Sequence, residues 1–582
     1  MKENTLVSSA ARDPRYQAVV VFFLCALLTI ASGLAQAQGG VVDSTLNPIQ
    51  PAQTFTTLVN FNQFNGAIPN GGVIQGTDGY LYVTTWAGGQ YCVSFGGCGT
   101  AFKMAADGTL SLPYLRNFSS AAIGPAGLLQ GRDGNFYGVT EEGGSDCGVA
   151  SCGTVFKITP TGGFSILHKF NGADGEAPFY TLVEGADGNF YGTTYASTLT
   201  NGAGTVFKVT SAGNFVTLYQ FLCSGTDCSN GGGPSGLVRA TSGNFYGTTS
   251  YGHGGTAFKI TPDGKLTTIH SFVSQDGGLS PVGTLIQGAD GFLYGAAQYG
   301  GAINSTCPSG GGTIFRIALN GAFTGLHKFC TQSGADGVGP LSGMVQGSDG
   351  ALYGTTGAGG ANNHGTIFRF AGGASFLTLH SFEGTDGDRP FAVLFQATNG
   401  DFYGSTQLGG TSNLGTLFRL STELGPFVDL QPNFGVVGTP ITIRGNKLTG
   451  TTSVTFGSIP AVFTVVSDTE ILTTVPAKAN KGVVKVDTPN STLKSKATFK
   501  VPPTISAFSP SSGPPGTVVT ILGKTFDKTG SVSFGGVPAT SFTVNSYTSI
   551  TATVPPGAKN GNIAVTTGSG TGQSSSAFTV TP

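Results

Sequence analysis

The chain has 582 residues, of which 10% are charged and 95 are glycine, and its formal net charge is −1. A chain of this length can hold several domains, and its near-neutral charge gives no electrostatic reason to expect nucleic-acid binding. Apolar residues make up 39% of the chain and are regularly spaced, which argues against disorder. Together with the abundant glycine, they favour short strands joined by tight turns.

The first 37 residues have the pattern of a secretory signal peptide. Three basic residues precede an apolar run, residues 18–30, that is short for a membrane span. Ala35-Gln36-Ala37 matches a small-x-small cleavage site, so the mature chain is expected to begin near Gln38. An uncleaved membrane anchor is the alternative. The sequence therefore predicts a secreted or cell-surface protein without a further membrane span.

Cleavage of the signal peptide would leave eight cysteines. Three pairs are close in the sequence and two cysteines remain: Cys92/Cys98, Cys147/Cys152, Cys223/Cys228, and then Cys307 and Cys330. In an exported protein this pattern predicts disulfides. A zinc site is the alternative, but it would require histidines or C-x-x-C pairs, and the close pairs have a wider spacing. We therefore predict no metal site and no cofactor.

A short motif of the form D-G-x-Φ-Y, where Φ is apolar, recurs seven times, with Ser242 and Asn399 replacing the aspartate in two copies. The tyrosines of the motif are Tyr82, Tyr137, Tyr191, Tyr246, Tyr294, Tyr353 and Tyr403. A segment G-T-Φ-F-(K/R) follows each copy, with phenylalanines Phe102, Phe156, Phe207, Phe258, Phe315, Phe368 and Phe418. An apolar segment precedes each tyrosine motif, and an alternating segment that ends in phenylalanine, such as residues 164–170, comes last.

Each repeat therefore predicts four short strands, which we label A (before the tyrosine motif), B (the tyrosine motif), C (G-T-Φ-F) and D (the alternating segment). A four-stranded unit repeated seven times is typical of a seven-bladed β-propeller, here residues 38–425. The last repeat lacks strand D, whereas an orphan D-like strand, residues 55–61, precedes the first repeat. We expect this N-terminal strand to complete the seventh blade and close the ring.

The repeats resemble the Gloeo/Verruco tandem-repeat family of bacterial exported proteins. The residues that carry the resemblance are of the type Gly185-Ala-Asp-Gly-Asn-Phe-Tyr-Gly-Thr-Thr194 followed by Gly204-Thr-Val-Phe-Lys208, and it covers roughly residues 50–425. The resemblance implies an exported surface protein, and it implies no particular activity.

The tail contains two units with alternating strands and Gly/Pro turns, residues 428–501 and 502–582. The first has Gly438-Thr-Pro-Ile-Thr-Ile-Arg-Gly445 and the second has Gly516-Thr-Val-Val-Thr-Ile-Leu-Gly523. Both resemble IPT/TIG domains, which implies immunoglobulin-like β-sandwiches. From residue 430 onward there are 11 basic and 4 acidic residues, whereas residues 38–429 have 14 and 23. The two parts either meet different partners or are simply kept soluble by opposite charges.

Repeated polar positions are the first candidates for a functional site. His168, His270, His327 and His380 share one position of strand D, and a side chain repeated in this way is expected to serve packing. The connections from strand D to the next strand A contain Asp174, Asp276, Asp336 and Asp386. These aspartates either form Asp-Gly turns or provide a ring of carboxylates for calcium.

Strand A has a polar residue at one repeated position: Gln75, Gln130, Glu184, Arg239, Gln287, Gln346 and Gln396. These residues are expected to hydrogen-bond between blades, and Glu184 and Arg239 could pair with each other. Motifs for serine or zinc hydrolases are absent from the sequence, but distant carboxylates could still cleave glycosides. The B–C loop that holds Trp86 and Tyr91 could start a sugar-binding platform.

The long B–C and D–A connections, which contain every mature cysteine, lie at one end of the blades. Strands C and D are neighbours, so Cys307 and Cys330 should meet and form a fourth disulfide. The sequence therefore favours an exported, non-enzymatic binding or adhesion protein whose ligand, a protein or a glycan, binds on this face. A carbohydrate-active or lyase-type enzyme and a purely structural envelope component are the alternatives.

Overall fold

The structure is a computed structural model. It describes residues 53–92, 96–144, 146–147, 150–198, 203–223, 228–240, 242–252, 254–273, 276–331, 333–373 and 375–582. The predicted signal peptide and its cleavage site lie outside the described residues. The elements are β-strands, so the predicted all-β class is confirmed. In these ranges we find no helix with the length and apolarity needed to cross a membrane.

The seven repeats form seven antiparallel sheets with the strand order A–B–C–D. Strands A are Ile74–Gln75, Ala122–Gln130, Val183–Glu184, Val238–Arg239, Gly278–Gln287, Val345–Gln346 and Phe395–Gln396. Strands B are Leu81–Thr85, Phe136–Gly143, Phe190–Thr194, Phe245–Tyr251, Leu293–Gly300, Leu352–Thr356 and Phe402–Thr406. Strands C are Thr100–Met104, Thr154–Ile158, Thr205–Val209, Thr256–Ile260, Thr313–Ile317, Thr366–Phe370 and Thr416–Ser421.

Strands D of the first six sheets are Leu110–Asn117, Phe164–Lys169, Phe215–Gln220, Leu266–Ser271, Phe323–Lys328 and Phe376–Ser381. The seventh sheet obtains its fourth strand from the start of the chain, because Thr54–Asn60 pairs antiparallel with Thr416–Ser421. The fourth sheet has an additional short strand, Gly232–Pro234, that also pairs with its strand B. In the second repeat, Asp146–Cys147 and Ala150–Ser151 form a small hairpin within the B–C loop.

Apolar side chains pack between neighbouring sheets. Seven clusters of buried residues each combine side chains from two consecutive sheets. In the cluster between the second and third sheets, for example, Phe170 packs against Phe207. Another cluster contains Tyr403 of the last repeat, Val59 of the N-terminal strand and Leu81 of the first repeat. The sheets therefore follow one another in a ring, which is consistent with the blades of a β-propeller.

The recurring tyrosine stabilises both its own turn and the contact with the next sheet. The Tyr191 hydroxyl donates a hydrogen bond to Asp187 at 2.8 Å, and the same carboxylate accepts the Asn189 backbone N–H at 3.2 Å. The Tyr191 ring packs on Phe245 of the following strand B, with 4.2 Å between ring centroids. Burial raises the pKa of Tyr191, and the aspartate raises it further. The motif is therefore a structural unit of the repeat.

The glycine that begins each G-T-Φ-F segment touches a proline of the next repeat. The contacts are Gly99–Pro125, Gly153–Pro178, Gly204–Pro234, Gly255–Pro281, Gly312–Pro340, Gly365–Pro390 and Gly415–Pro69. These glycines have φ between +87° and +96°, which disfavours any other residue. A Cβ on any of them would lie 2.5 to 2.8 Å from the proline Cδ. The last contact joins the seventh repeat to the first.

The tail forms two β-sandwiches, each with its own buried core, as expected for Ig-like modules. The sheets of the first module are Asp429–Gln431, Pro440–Arg444, Glu470–Thr474 and Phe463–Ser467, and Ile459–Pro460, Ser453–Phe456, Val484–Asp487 and Thr492–Lys494. One sheet of the second module contains Thr504–Ser509, Val518–Lys524, Ser549–Thr553 and Ser541–Ser546. The other contains Ser512–Gly513, Gly570–Val580, Gly561–Thr567, Thr529–Phe534 and Val537–Pro538.

Removing the N-terminal strand should strongly destabilise the ring. A variant that lacks residues 38–62 loses the partner of Thr416–Ser421 and the buried side chains of Val59 and Phe61. Each such side chain contributes about 1.5–3 kcal/mol when it is fully buried. We expect the melting temperature of the repeats to fall by about 10 °C or more, measured by calorimetry. A matched deletion of residues 38–52 keeps the strand and should melt like the parent, whereas equal melting of both deletions would contradict this role.

A buried pair of hydrogen-bonded threonines between strands B and C is the basis of a second stability prediction. In six sheets the threonine three residues after the motif tyrosine forms a hydrogen bond with the first threonine of strand C. The hydroxyls of Thr194 and Thr205, for example, are 2.8 Å apart. The fifth sheet has Ala297 instead, and the buried hydroxyl of Thr313 has no partner among the described residues.

Ala297→Thr should therefore stabilise the protein by about 1 kcal/mol, because it gives the Thr313 hydroxyl a hydrogen bond. Chemical denaturation measures this free energy. Ala297→Val is the control, since valine has the same shape without the hydroxyl. If the valine variant is as stable as the threonine variant, the hydrogen bond is not the cause.

Candidate functional site

The antiparallel strand order gives the ring of sheets two different faces. The A–B and C–D turns lie at one end of every sheet, which we call the turn face. The B–C and D–A connections lie at the other end, which we call the loop face. The turns are short and similar between repeats, whereas the loops differ in length and sequence. A site that differs from the repeat pattern is therefore expected on the loop face.

The four strand-D histidines contact the next sheet. Each imidazole stacks on a phenylalanine with 3.6 to 4.8 Å between ring centroids. The pairs are His168 on Phe215, His270 on Phe323, His327 on Phe376 and His380 on Phe55. In the first sheet the Arg116 guanidinium takes this position, 4.3 Å from the ring of Phe164. This arrangement agrees with the predicted packing role, and the contact with Phe55 involves the N-terminal strand.

The four aspartates that could form a calcium site lie beside these histidines, and three of them are hydrogen-bonded to the imidazole. The distances between His Nε2 and Asp Oδ2 are 2.9 Å for Asp174, 2.9 Å for Asp276 and 2.8 Å for Asp386. Asp336 lies 3.5 Å from His327 and also accepts hydrogen bonds from the Cys330 N–H and the Thr331 hydroxyl. Each carboxylate thus stabilises its own loop. Among the described residues, no group of His, Cys, Asp and Glu is arranged to hold a metal ion.

The polar residues of strand A form hydrogen bonds between sheets. In five repeats the side chain accepts a backbone N–H from the A–B turn of the preceding sheet, with residue pairs Gln75–Thr398, Gln130–Thr77, Glu184–Arg132, Gln346–Ala289 and Gln396–Ser348. The Glu184 carboxylate lies 3.5 Å from Arg132 Nε, whereas Arg239 donates to the Glu184 carbonyl at 3.0 Å. Burial raises the pKa of Glu184. These residues therefore position neighbouring sheets.

The first Ig-like module packs on the turn face. Arg444 donates to the Gln75 carbonyl and to Gln130 Oε1, both at 3.2 Å. The Thr469 hydroxyl donates to the Thr77 carbonyl at 2.7 Å. Further out, the Arg239 guanidinium lies 4.7 Å from the ring of Phe434. The module therefore covers the centre of the turn face.

The loop face contains the disulfides and exposed apolar side chains. Cys92–Cys98, Cys223–Cys228 and Cys307–Cys330 are bonded. Cys152 is also disulfide-bonded, and the side chain of Cys147 lies outside the described residues. Disulfides persist in oxidising compartments and indicate an extracytoplasmic location. Five exposed large apolar side chains lie in these loops: Phe64, Tyr91, Leu222, Val273 and Ile303.

Trp86 and Tyr91 differ in their surroundings. Trp86 is half-buried, and its Nε1 donates to Glu141 Oε2 of the second repeat at 2.6 Å. Tyr91 precedes Cys92 of the first disulfide, and 53% of its surface is exposed. Trp86 therefore joins two repeats across the loop face, whereas Tyr91 can contact a ligand directly.

Further aromatic and amide groups lie on the loop face and were not predicted as site residues. Phe179 and Tyr251 both pack against Tyr195, with ring centroids 5.5 and 6.0 Å from it. Gln407 donates to Asn70 of the first repeat at 2.7 Å. Tyr195 and Gln407, like Trp86 and Glu141, directly follow the F-Y-G-T-T element, where the repeats stop resembling one another. This change from constant to variable residues is the sequence signal that could have identified them.

Comparison with known proteins establishes the family. The model of the Gloeobacter/Verrucomicrobia repeat matches residues 28–230, 92–307 and 301–454, and the IPT/TIG domain model matches residues 427–501 and 503–581. The chain belongs to the Gloeobacter/Verrucomicrobia repeat family. The predicted resemblance of the repeats and of both Ig-like modules is thereby confirmed. No curated protein matches the chain.

Solved structures resemble the chain only distantly. The extracellular domain of a candidate hybrid two component system from B. thetaiotaomicron is 12% identical, with a TM-score of 0.42, over 77% of this chain and 57% of that one. The chain thus spans little more than half of that structure. A fungal alcohol oxidase of the AA5 family has a TM-score of 0.41 at 12% identity, over 77% and 99%. A surface glycan-binding protein from Prevotella bryantii has a TM-score of 0.20 at 18% identity, over 27% and 39%.

The histidine–aspartate pairs predict that calcium does not stabilise the protein. Since Asp174, Asp276 and Asp386 each bond a histidine of their own repeat, neither added calcium nor EDTA should change the melting temperature by more than about 1 °C. Asp386→Ala should lower the melting temperature equally with and without calcium. A calcium-dependent rise that disappears in Asp386→Ala would instead show that these carboxylates bind the ion.

Proposed function

We propose that the seven sheets form a closed seven-bladed β-propeller and that the protein is an exported binding protein whose ligand binds on the loop face. The ring of clusters between sheets supports closure, because the seventh sheet packs on the first. The disulfides support export to an oxidising compartment. The mature protein would be secreted or held at the cell surface.

One observation carries the choice of face. The first Ig-like module packs on the turn face through Arg444 and Thr469, so the centre of that face is covered. The loop face contains the irregular loops and the exposed side chains of Phe64, Tyr91 and Ile303. Among the described residues of the repeats, five of the seven exposed large apolar side chains lie on this face, which favours it as the interaction surface.

The disulfides give these loops the properties of a binding surface. The Cys92–Cys98 bridge closes a loop of only a few residues, and a short crosslinked loop gains little folding stability. It does restrict the loop that presents Tyr91, and a loop held in shape loses less entropy on binding. The two short bridges, Cys92–Cys98 and Cys223–Cys228, thus favour recognition of a ligand over stabilisation of the fold.

Aromatic rings and amides are suited to a protein or a glycan. Tyrosine presents a large apolar ring and a hydroxyl at low entropic cost. Tyr91 is exposed on this face, and Tyr195, Tyr251 and Phe179 form a half-buried aromatic group there. Gln407 and Asn70 contribute amides on the same face. We therefore propose a glycan or a protein of the cell envelope as the ligand and a non-enzymatic role.

The mature protein should retain specific glycans on a glycan array or specific proteins from an envelope fraction. Alanine at Trp86, Tyr91 or Ile303, which lies in the B–C loop of the fifth repeat, should weaken that binding by about 1–2 kcal/mol for each residue that contacts the ligand. Tyr80→Ala is the matched control, because Tyr80 is an exposed aromatic residue on the turn face and should leave binding unchanged.

Two outcomes would contradict this proposal. If Tyr80→Ala or loss of the Ig-like modules abolishes binding while Tyr91→Ala does not, the ligand does not bind on the loop face. If a retained glycan is cleaved during incubation, the protein is an enzyme, and the non-enzymatic role is wrong.

A further inference from the structure

A cavity lies between the turn face and the first Ig-like module. Its volume is about 190 Å³, below the usual range for drug-sized ligands. Strands A of four repeats provide an apolar wall made of Ile74, Leu129, Val345 and Phe395. The opposite wall belongs to the module and contains two basic residues, Arg444 and Lys496.

The strands A crowd together on the side of the cavity that points toward the loop face. A Cβ on Gly127 would lie 2.5 Å from Thr181 Oγ1, and one on Gly236 would lie 2.2 Å from Thr284 Oγ1. A Cβ on Gly343 would lie 2.5 Å from the Thr284 carbonyl. The cavity is therefore a site separate from the proposed loop-face surface, and it depends on the docked module.

Lys496 is an unpaired cation in this cavity. Among the described residues, its ammonium group forms no ion pair or hydrogen bond, and it lies 5.5 Å from the centroid of the Phe427 ring. Burial lowers its pKa to about 8, although the carboxylates of Asp429 and Asp349 oppose this shift. Lys496 is half-buried, and an anion beside it would receive a charge-assisted hydrogen bond from its ammonium group.

Arg444 provides a second positive group beside the cavity. Its two Nη atoms donate to Gln75, Gln130 and Gln431, and its Nε is buried without a partner among the described residues. Asp429 also lines the cavity but is exposed to solvent. The charged groups that face the cavity are thus two cations and one solvated carboxylate.

The apolar wall and the positive end specify the chemistry of a ligand. The cations exclude a metal ion, and the volume excludes an oligosaccharide. The apolar part of a ligand can pack against Leu129 and Phe395, while its anionic group forms an ion pair with Lys496. We propose that this cavity binds a small monocarboxylate with an apolar body, such as an aromatic acid.

Isothermal titration calorimetry of the mature chain with benzoate as the probe tests this site. Benzamide is the matched ligand, since it has the same shape without the charge. We expect benzoate to bind one site per chain and to raise the melting temperature with increasing concentration. Benzamide should bind at least about tenfold more weakly, because it lacks the charge attraction of Lys496. Equal binding of both probes, or no binding of benzoate, would overturn the proposal.

Two variants locate the site. Lys496→Met should lower benzoate affinity at least about tenfold, because methionine keeps an apolar side chain but removes the charge, and the melting temperature of the free protein checks that the variant is folded. Lys496→Arg keeps the charge and should keep the binding. Unchanged affinity in the Met variant would show that benzoate binds elsewhere and would overturn the assignment. Binding of a loop-face ligand should be the same in all three proteins, so the two sites can be judged independently.

Discussion

Close packing at one glycine recurs at all seven junctions between sheets, where the glycine lies between a strand-B carbonyl of its own sheet and a proline of the next repeat. The glycine has a left-handed backbone conformation, and its missing Cβ lets the proline ring approach, as at Gly204 and Pro234. The stacking of aromatic side chains between neighbouring sheets depends on the distance between those sheets. His168, for example, stacks on Phe215 of the next strand D with 3.6 Å between ring centroids. A side chain at the glycine would separate the sheets and disturb both contacts.

Most polar side chains that recur in the repeats form hydrogen bonds that hold the fold together. The strand-D histidines, the aspartates of the D–A connections and the strand-A glutamines bond one another or the backbone of an adjacent sheet. Most of these groups therefore have a partner and little capacity left for a ligand. Chemistry specific to this protein therefore belongs to residues outside the pattern, such as Trp86 and Tyr91 on one face and Lys496 and Arg444 beneath the other.

The sequence predicts the repeated features better than contacts that occur once. Strands and turns follow from alternation and Asp-Gly pairs, and the D-like pattern of residues 55–61 indicates where the N-terminal strand belongs. The spacing of six between His168 and Asp174 could also have suggested their pairing. Two contacts could not be predicted: the hydrogen bond from Trp86 to Glu141 and the one from Arg444 to Gln130. Each joins distant positions through a loop or a linker, and no local sequence pattern encodes the geometry of these segments. The cavity beside Lys496 could not be foreseen for the same reason.

The strand that completes the seventh sheet comes from the N-terminus, so the seventh sheet cannot be completed until the last repeat has been synthesised. Asn60 bonds Thr411, 351 residues later in the chain. Strand Thr54–Asn60 is therefore synthesised long before its partner strand, Thr416–Ser421, exists. During that interval its edge and its apolar side chains lack their native cover and can pair with another chain. Factors that shield this segment until the last repeat is complete would therefore reduce its pairing with other chains.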